Sequence, residues 1–252
     1  MKERFRTEEK YMVTYTVFTD KGGRDVNEDT ACVYEKDGQK CLILCDGLGG
    51  HGRGEVASAL VVKMFGEIFK NTQTIDEKFL DNAFNAAQDA LLEEQCRQNA
   101  KTEMKTTAVA MYIDGNRIQW GHVGDSRLYA FSRNKVKLRT LDHSVPQMLV
   151  LARDIKEKQI RNHPDRNRLL RVMGIEWDKP MYELAEPKKL GDYQAFLLCS
   201  DGFWELIDEK QMGKLLKSSS TVEEWMQSMV EVVRKNGAGR NMDNYTAIAL
   251  WS

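Results

Sequence analysis

The sequence predicts an α+β protein dominated by antiparallel strands, on three observations. Short runs of β-branched, aromatic and aliphatic residues recur along the chain and stop at Gly, Asn or Asp turns. Asp37-Gly38 and Asp114-Gly115-Asn116 join consecutive runs in the manner of hairpins, which makes their neighbours antiparallel. Three longer stretches instead space their apolar residues at three- and four-residue steps, the period of a helix with one buried face.

Tyr11 to Thr19 reads as the first strand, broken by Lys21-Gly-Gly-Arg24. A polar loop, Arg24-Asp-Val-Asn27-Glu28-Asp29, leads to a second strand at Thr30 to Glu35. The apolar run Cys41 to Cys45 follows and ends abruptly in Asp46-Gly47-Leu48-Gly49-Gly50-His51-Gly52. Glu55 to Lys70 is helical, with Ala57, Leu60, Val61, Met64, Phe65, Ile68 and Phe69 recurring at three- and four-residue steps. A second helix opens at the capping box Thr74-Ile-Asp-Glu77 and buries Phe79, Leu80, Ala83, Phe84, Ala87 and Leu91. Strands follow at Thr106 to Ile113, Arg117 to Val123, Arg127 to Phe131 and Lys135 to Leu141.

From Asp142 to Ile175 charges alternate with single apolar residues. Helical pieces are expected there at Gln147 to Asp154 and Asn167 to Met173. Tyr193 to Cys199 is a further apolar strand ending in an acid, Ser200-Asp201-Gly202. The capping box Ser220-Thr-Val-Glu223 opens a third amphipathic helix that closes near Gly237, and Asp243-Asn244 precedes the last strand, Tyr245 to Trp251. Gly202 to Glu205 is expected only to pack the end of its strand. With no linker, repeat or low-complexity segment, residues 1–252 read as one domain.

Hydrophobic residues at 42% and charged residues at 30% supply material for a sizeable core, and the net charge of -1 gives no electrostatic pull toward nucleic acid or an anionic membrane. The start, Met1-Lys-Glu-Arg-Phe-Arg6, lacks a leader pattern, and no apolar run reaches bilayer length. Cys32, Cys41, Cys45, Cys96 and Cys199 are odd in number and contain no Cys-x-x-Cys pair, so free thiols and a cytoplasmic location are expected.

Four acids stand at junctions between strands and turns: Asp46, Asp125, Asp201 and Asp243. Antiparallel pairing can gather such acids at one sheet edge, where they would repel unless they bind protons or a cation. Oxygen-only ligation suits Mg²⁺ or Mn²⁺, two of which, about 4 Å apart, can activate water and neutralise a phosphoryl transition state. Arg24 has the planar fork that grips phosphate oxygens. The bland alternative is four unrelated turn aspartates.

Five blocks occur in order: Arg24-x-x-Asn27-Glu28-Asp29, Asp46-Gly47-Leu-Gly49-Gly50-His51, Gly124-Asp125-Ser126-Arg127, Ser200-Asp201-Gly202 and Asp243-Asn244. With Gly54-Glu55-x-Ala57-Ser58, Thr106-Thr107, Asp142-His143-Ser144, His163-Pro164 and Met173-Gly174, the chain resembles the metal-dependent Ser/Thr protein phosphatases (PPM, or type 2C) in their bacterial single-domain form, from about Asp20 to its end. The resemblance implies a four-layer α-β-β-α sandwich of two antiparallel sheets flanked by helices, with a flap at about 144–175 beside the cleft. It implies that Asp46 bridges two Mn²⁺ or Mg²⁺ ions, with the Gly47 carbonyl on one and Asp201 and Asp243 on the other. Glu28, Asp29 and Asn244 would support these ligands, Arg24 would bind the substrate phosphate, and Asp125 with Asp201 would hold a third ion.

The implied reaction is attack of a metal-bridging hydroxide on phosphoserine or phosphothreonine, without a phosphoenzyme. Its partners would be phosphorylated proteins and a cognate Ser/Thr kinase, with no nucleic acid and no membrane; no heptad pattern argues against a monomer. The spacing argues against cysteine phosphatase chemistry, because the residues six positions after the five cysteines are Gly38, Gly47, His51, Thr102 and Glu205, never arginine. Leu48 stands where relatives of the eukaryotic branch often carry a histidine proposed as general acid, and His51 reads as a helix cap. His122, His143 and His163 read as structural. A phosphatase-fold binding module, or a phosphatase of small phosphoesters, are the competing functions.

Overall fold

The computed structural model describes residues 13–48 and 53–252; the expectations for Gly49 to Gly52, His51 included, and for Tyr11 fall outside them. In chain order the strands and helices are β1 (Thr14–Asp20), β2 (Asp29–Lys36), β3 (Gln39–Leu48), α1 (Gly54–Asn71) and α2 (Phe79–Gln98). There follow β4 (Lys105–Thr106), β5 (Ala108–Asp114), β6 (Arg117–Val123), β7 (Arg127–Ser132), β8 (Lys135–Arg139) and α3 (Val145–Leu151). The chain ends with β9 (Glu183–Leu184), β10 (Lys188–Lys189), β11 (Ala195–Cys199), α4 (Asp201–Trp204), α5 (Glu209–Ser218), α6 (Val222–Gly237) and β12 (Tyr245–Trp251). A 3-10 helix spans Glu157–Asn162.

The strands form two sheets, ordered β1-β12-β11-β7-β8 and β10-β6-β5-β3-β2, with every neighbour antiparallel; β4 adds to β3 and β9 to β6. Because side chains alternate across a strand, each central strand feeds two apolar layers. Leu42 and Leu44 of β3 meet Phe196 and Leu198 of β11, with Ile248 and Leu250 of β12, in the core between the sheets. Cys41, Ile43 and Cys45 point the other way, into the layer formed by Phe65 and Phe69 of α1 and Phe84 and Leu91 of α2. On the opposite side Leu197 and Cys199 pack under Trp225, Met229 and Val233 of α6 and Met212 of α5. The result is the α-β-β-α sandwich. Three stacked apolar layers explain why fully buried runs, rather than alternating ones, occupy β3, β5 and β11.

The register lowers both sheet edges onto one end. β2 pairs with β3 so that Asp29 faces Asp46, and β1 pairs with β12 so that Asp20 faces Tyr245. Four local readings are corrected. The Thr74 capping box does not form: Asp76 Oδ1 instead accepts from the Lys78 N–H at 2.9 Å, an Asx turn that delays α2 to Phe79. Residues 167–173 are not helical: after a turn at Asn167, Leu170 N donates to His143 O and Met173 pairs with Thr106 in both directions. Gly202 to Glu205 is not a mere strand end; it holds the helical turn α4, and α5 follows behind an Asp208 cap that accepts from Gln211 N. In α6 the cap is Thr221, one residue later than expected, with Glu224 reaching back to Ser220 N.

Candidate active site

The expected acids meet at the end of the sandwich where β2, β3, β11 and β12 begin or stop. Asp46 lies in the last turn of pleat of β3, Asp201 starts α4 directly after β11, and Asp243 precedes β12. Asp125 sits between β6 and β7 and is buried. Asp46 and Asp201 are within hydrogen-bonding reach of each other. Two glycines make the approach possible. A Cβ on Gly47 would stand 2.3 Å from Gly54 O and 2.7 Å from Glu28 O, and a Cβ on Gly202 would stand 2.1 Å from Asn244 O.

Electrostatically the cluster is uncompensated. Burial, then the charges of Asp29, Asp201, Asp125 and Asp243, hold the Asp46 carboxyl well above the ordinary range. Burial and then Asp201 and Asp142 do the same to Asp125. Asp201 is pushed up to about 6 by burial and then Asp243, and Asp29 to about 7 by burial, against the bond from Ser200. Asp29 Oδ2 accepts from Ser200 Oγ at 2.7 Å, while Asp29 Oδ1 is buried without a partner. Among the described residues Asp29, Asp46, Asp125 and Asp201 form no ion pair with a cationic side chain. An orphaned carboxylate oxygen inside a cluster of mutually repelling oxygens fits hard divalent cations such as Mn²⁺ or Mg²⁺.

The loop before β2 completes the site. Asn244 Oδ1 accepts from Glu28 N at 2.8 Å, and its Nδ2 donates to Lys21 O at 2.9 Å and Val26 O at 3.0 Å. One amide thus spends its hydrogen-bonding capacity on fixing residues 21–28, and with them Arg24. Arg24 lies exposed at the cleft and donates to Asp243 Oδ2 at 2.7 Å. Glu28 is raised by burial and then by Glu55, and a Cβ on Gly54 would meet its carboxyl at 2.8 Å. All nine expected residues therefore lie at this end.

Several supports carried no expected role. Thr107 Oγ1 accepts from Asp46 N at 3.0 Å and pairs with Ser126 Oγ at 2.7 Å, tying β3 to the Asp125 loop. Trp204 Nε1–H donates to Asp125 O at 3.0 Å from the same helical turn that begins with Asp201. Its ring is covered by the Arg127 guanidinium at 3.4 Å, and Arg127 bonds Asp142 twice, at 2.8 and 2.6 Å. Arg161 of the 144–175 segment donates to Trp204 O at 3.1 Å and to Glu209 Oε1 at 2.8 Å. The neighbouring pair Ser200-Asp201 and the repeated threonine at 106–107 were the available signals; nothing local marks Trp204.

The three described histidines bond within the fold. His143 brackets Gly124, accepting from its N–H on Nδ1 at 3.2 Å and donating its own N–H to Gly124 O at 2.9 Å. His122, His143 and Glu183 place one ligand atom each within 4.8 Å of one another. With Nδ1 of His143 accepting, its neutral ring carries the proton on Nε2 and offers no lone pair there. His163 accepts from Asp165 N within its own turn.

The sequence profile of the protein phosphatase 2C family matches residues 23–245. The chain is 31% identical over 237 residues to the serine/threonine phosphatase stp of Listeria monocytogenes, covering 91% of this chain and 92% of that one. Its structure is similar to that of the serine/threonine phosphatase Stp1 from Staphylococcus aureus, with a TM-score of 0.86, 29% identity and coverage of 100% of this chain and 99% of that chain. It is also similar to the catalytic domain of the serine/threonine protein phosphatase PstP in complex with two manganese ions, with a TM-score of 0.79, 26% identity and coverage of 95% of this chain and 97% of that chain. Arg24, Asp46, Asp125, Asp201 and Asp243 all fall inside the matched span, and the chain belongs to the protein phosphatase 2C family.

Proposed function

We propose that the chain is a metal-dependent phosphoprotein phosphatase that hydrolyses phosphoserine and phosphothreonine. One observation carries the reading: carboxylates with no internal counter-charge converge beside an arginine held at the mouth of a cleft. Asp46, Asp201, Asp243 and the Gly47 carbonyl would hold two Mn²⁺ or Mg²⁺ ions, and Asp125 with Asp201 a third. Bound there, such ions supply an activated water and neutralise charge on the phosphoryl group.

The rest of the work belongs to the protein. Arg24 grips the phosphate oxygens and aligns the phosphorus with the cluster. Asn244 and Glu28 keep the Arg24 loop against β12, and Asp29, braced by Ser200, limits the rotation of the Asp46 carboxylate opposite it. The products are inorganic phosphate and the free serine or threonine hydroxyl. The catalytic domain spans the chain, with residues 144–175 as a flap beside the cleft. A monomer that opposes a cognate Ser/Thr kinase in the cytoplasm is part of the same proposal, supported by five free cysteines.

The test is hydrolysis of a phosphothreonine peptide and of an aryl phosphate with Mn²⁺, with Mg²⁺ and with chelator, for wild type and Asp201→Asn. Turnover that requires the cation and falls at least about 100-fold in Asp201→Asn is expected, the scale of a lost ligand or charge stabiliser. Turnover indifferent to chelator would refute the reading, and a folded, metal-loaded protein without turnover would leave a binding module.

A further inference from the structure

The cleft at Arg24, Asp201 and Asp243 holds a cavity of about 150 Å³ that Arg166, Glu205 and Arg240 also border. Three arginines face three acids there, and one arginine is left without an ion pair among the described residues. Arg24 is paired with Asp243 at 2.7 Å, and Arg166 with Glu205 at 3.1 Å. Asp201 turns to Asp46. Arg240 is exposed and forms no ion pair among the described residues.

Its position is nevertheless fixed. Arg240 N donates to Gly237 O at 3.0 Å, Met242 N donates back to Arg240 O at 3.0 Å, and Met242 O accepts from Gly23 N at 2.9 Å. Met242 packs so closely on Gly237 that a Cβ there would lie 2.3 Å from its Sδ, and Gly239 takes a φ of +77° to close the turn. The Arg240 turn is therefore stitched both to the end of α6 and to the loop that carries Arg24. A cation held this way, facing the same cavity as the phosphate-gripping arginine, selects charge rather than shape.

We propose that this cavity is a subsite for a second anionic group on the substrate, a carboxylate or a further phosphate one or two residues from the phosphoresidue, and that Arg240 reads it. The inference rests on the phosphatase reading of the adjacent carboxylates. A basic residue at the same substrate position meets Arg240 and is disfavoured.

The experiment compares kcat/KM, at low and high salt, for phosphothreonine peptides that differ only beside the phosphoresidue, carrying Gln, Glu, phosphoserine or Lys. Wild type is expected to favour Glu over Gln about 3- to 5-fold through KM, the size of a solvent-exposed charge pair, and to lose that preference in high salt. Arg240→Gln should abolish the preference while leaving the Gln peptide and an aryl phosphate at wild-type rates. Arg240→Glu should invert it in favour of Lys. A preference for phosphoserine alone would assign the subsite to phosphate, and one for both anions to either source. Turnover of the Gln peptide without discrimination, or discrimination that survives Arg240→Gln, overturns this inference alone. Absence of turnover for every phosphopeptide overturns the phosphatase reading beneath it.

Discussion

Asp125 and Arg127 are two residues apart, yet they enter buried charge clusters of opposite design. Arg127 is balanced inside the protein, with Asp142 on its guanidinium at 2.8 and 2.6 Å, Tyr129 Oη at 2.9 Å and the Trp204 ring against its face. Arg139 also approaches Asp142, at 3.5 Å. Asp125, Asp46, Asp201 and Asp29 have no such partner and are pushed toward protonation by burial and by one another. The first cluster is complete as folded and fixes structure. The second leaves a charge deficit that an external cation fills, so it stores function at a cost in the cation-free state.

The contrast is broken most severely from the balanced side. Asp142→Asn leaves a fully buried guanidinium with only Glu209, at 3.9 Å, as counter-charge and is expected to destabilise the protein by about 3–5 kcal/mol in urea unfolding. Asp46→Asn removes one member of the repelling set instead. It should leave cation-free stability equal or higher while abolishing the stabilisation by Mn²⁺, and a loss as large as that of Asp142→Asn would show that Asp46 has an internal partner.

The pH dependence sharpens the same point. Asp201 at about 6 and Asp29 at about 7 lie above the value near 4 of an unfolded carboxyl, so between pH 4 and 7 the folded chain binds more protons than the unfolded one. Stability from this cluster, in chelator, should therefore fall as pH rises through that window. Mn²⁺ binds the deprotonated acids and should reverse the trend, adding about 2.7 kcal/mol at pH 8 when present at 100 times its Kd, and little at pH 5. Thermal unfolding at both pH values, with and without Mn²⁺, measures it; a cation-free protein more stable at pH 8 than at pH 5 in wild type, but not in Asp29→Asn, would contradict the assignment.

The smallest effect is expected where the clusters touch. Trp204→Phe keeps a ring under Arg127 but loses the N–H that holds Asp125 O, a cost of about 1 kcal/mol. Calorimetric Mn²⁺ titration should show the weakest class of site lost before the others. Unchanged stoichiometry and affinity would mean that Asp125 needs no anchor from α4.

The two clusters also divide what was legible. Asp46 and Asp201 could be seen in the chain because each follows an apolar run, and a carboxylate there calls for a partner whatever the fold. The apolar stripes of α1, α2 and α6 and the hairpin turns were equally local, since helix and strand periods are written in neighbouring residues. The Arg127–Asp142 pair had no local signature; its partners lie 15 residues apart and meet only when β7 and the end of β8 are in place. Residues 167–173 carried a helical pattern, but hydrogen bonds from Leu170 and Met173 to His143 and Thr106 outweighed it. Local pattern settled the main strands, the three amphipathic helices and the acids at strand ends, but not residues 167–173 or the turn at α4. Tertiary structure decided which acids share a site and which are neutralised, because charge pairing and backbone pairing across the sheets depend on register, and register is set by the packing of all three layers together.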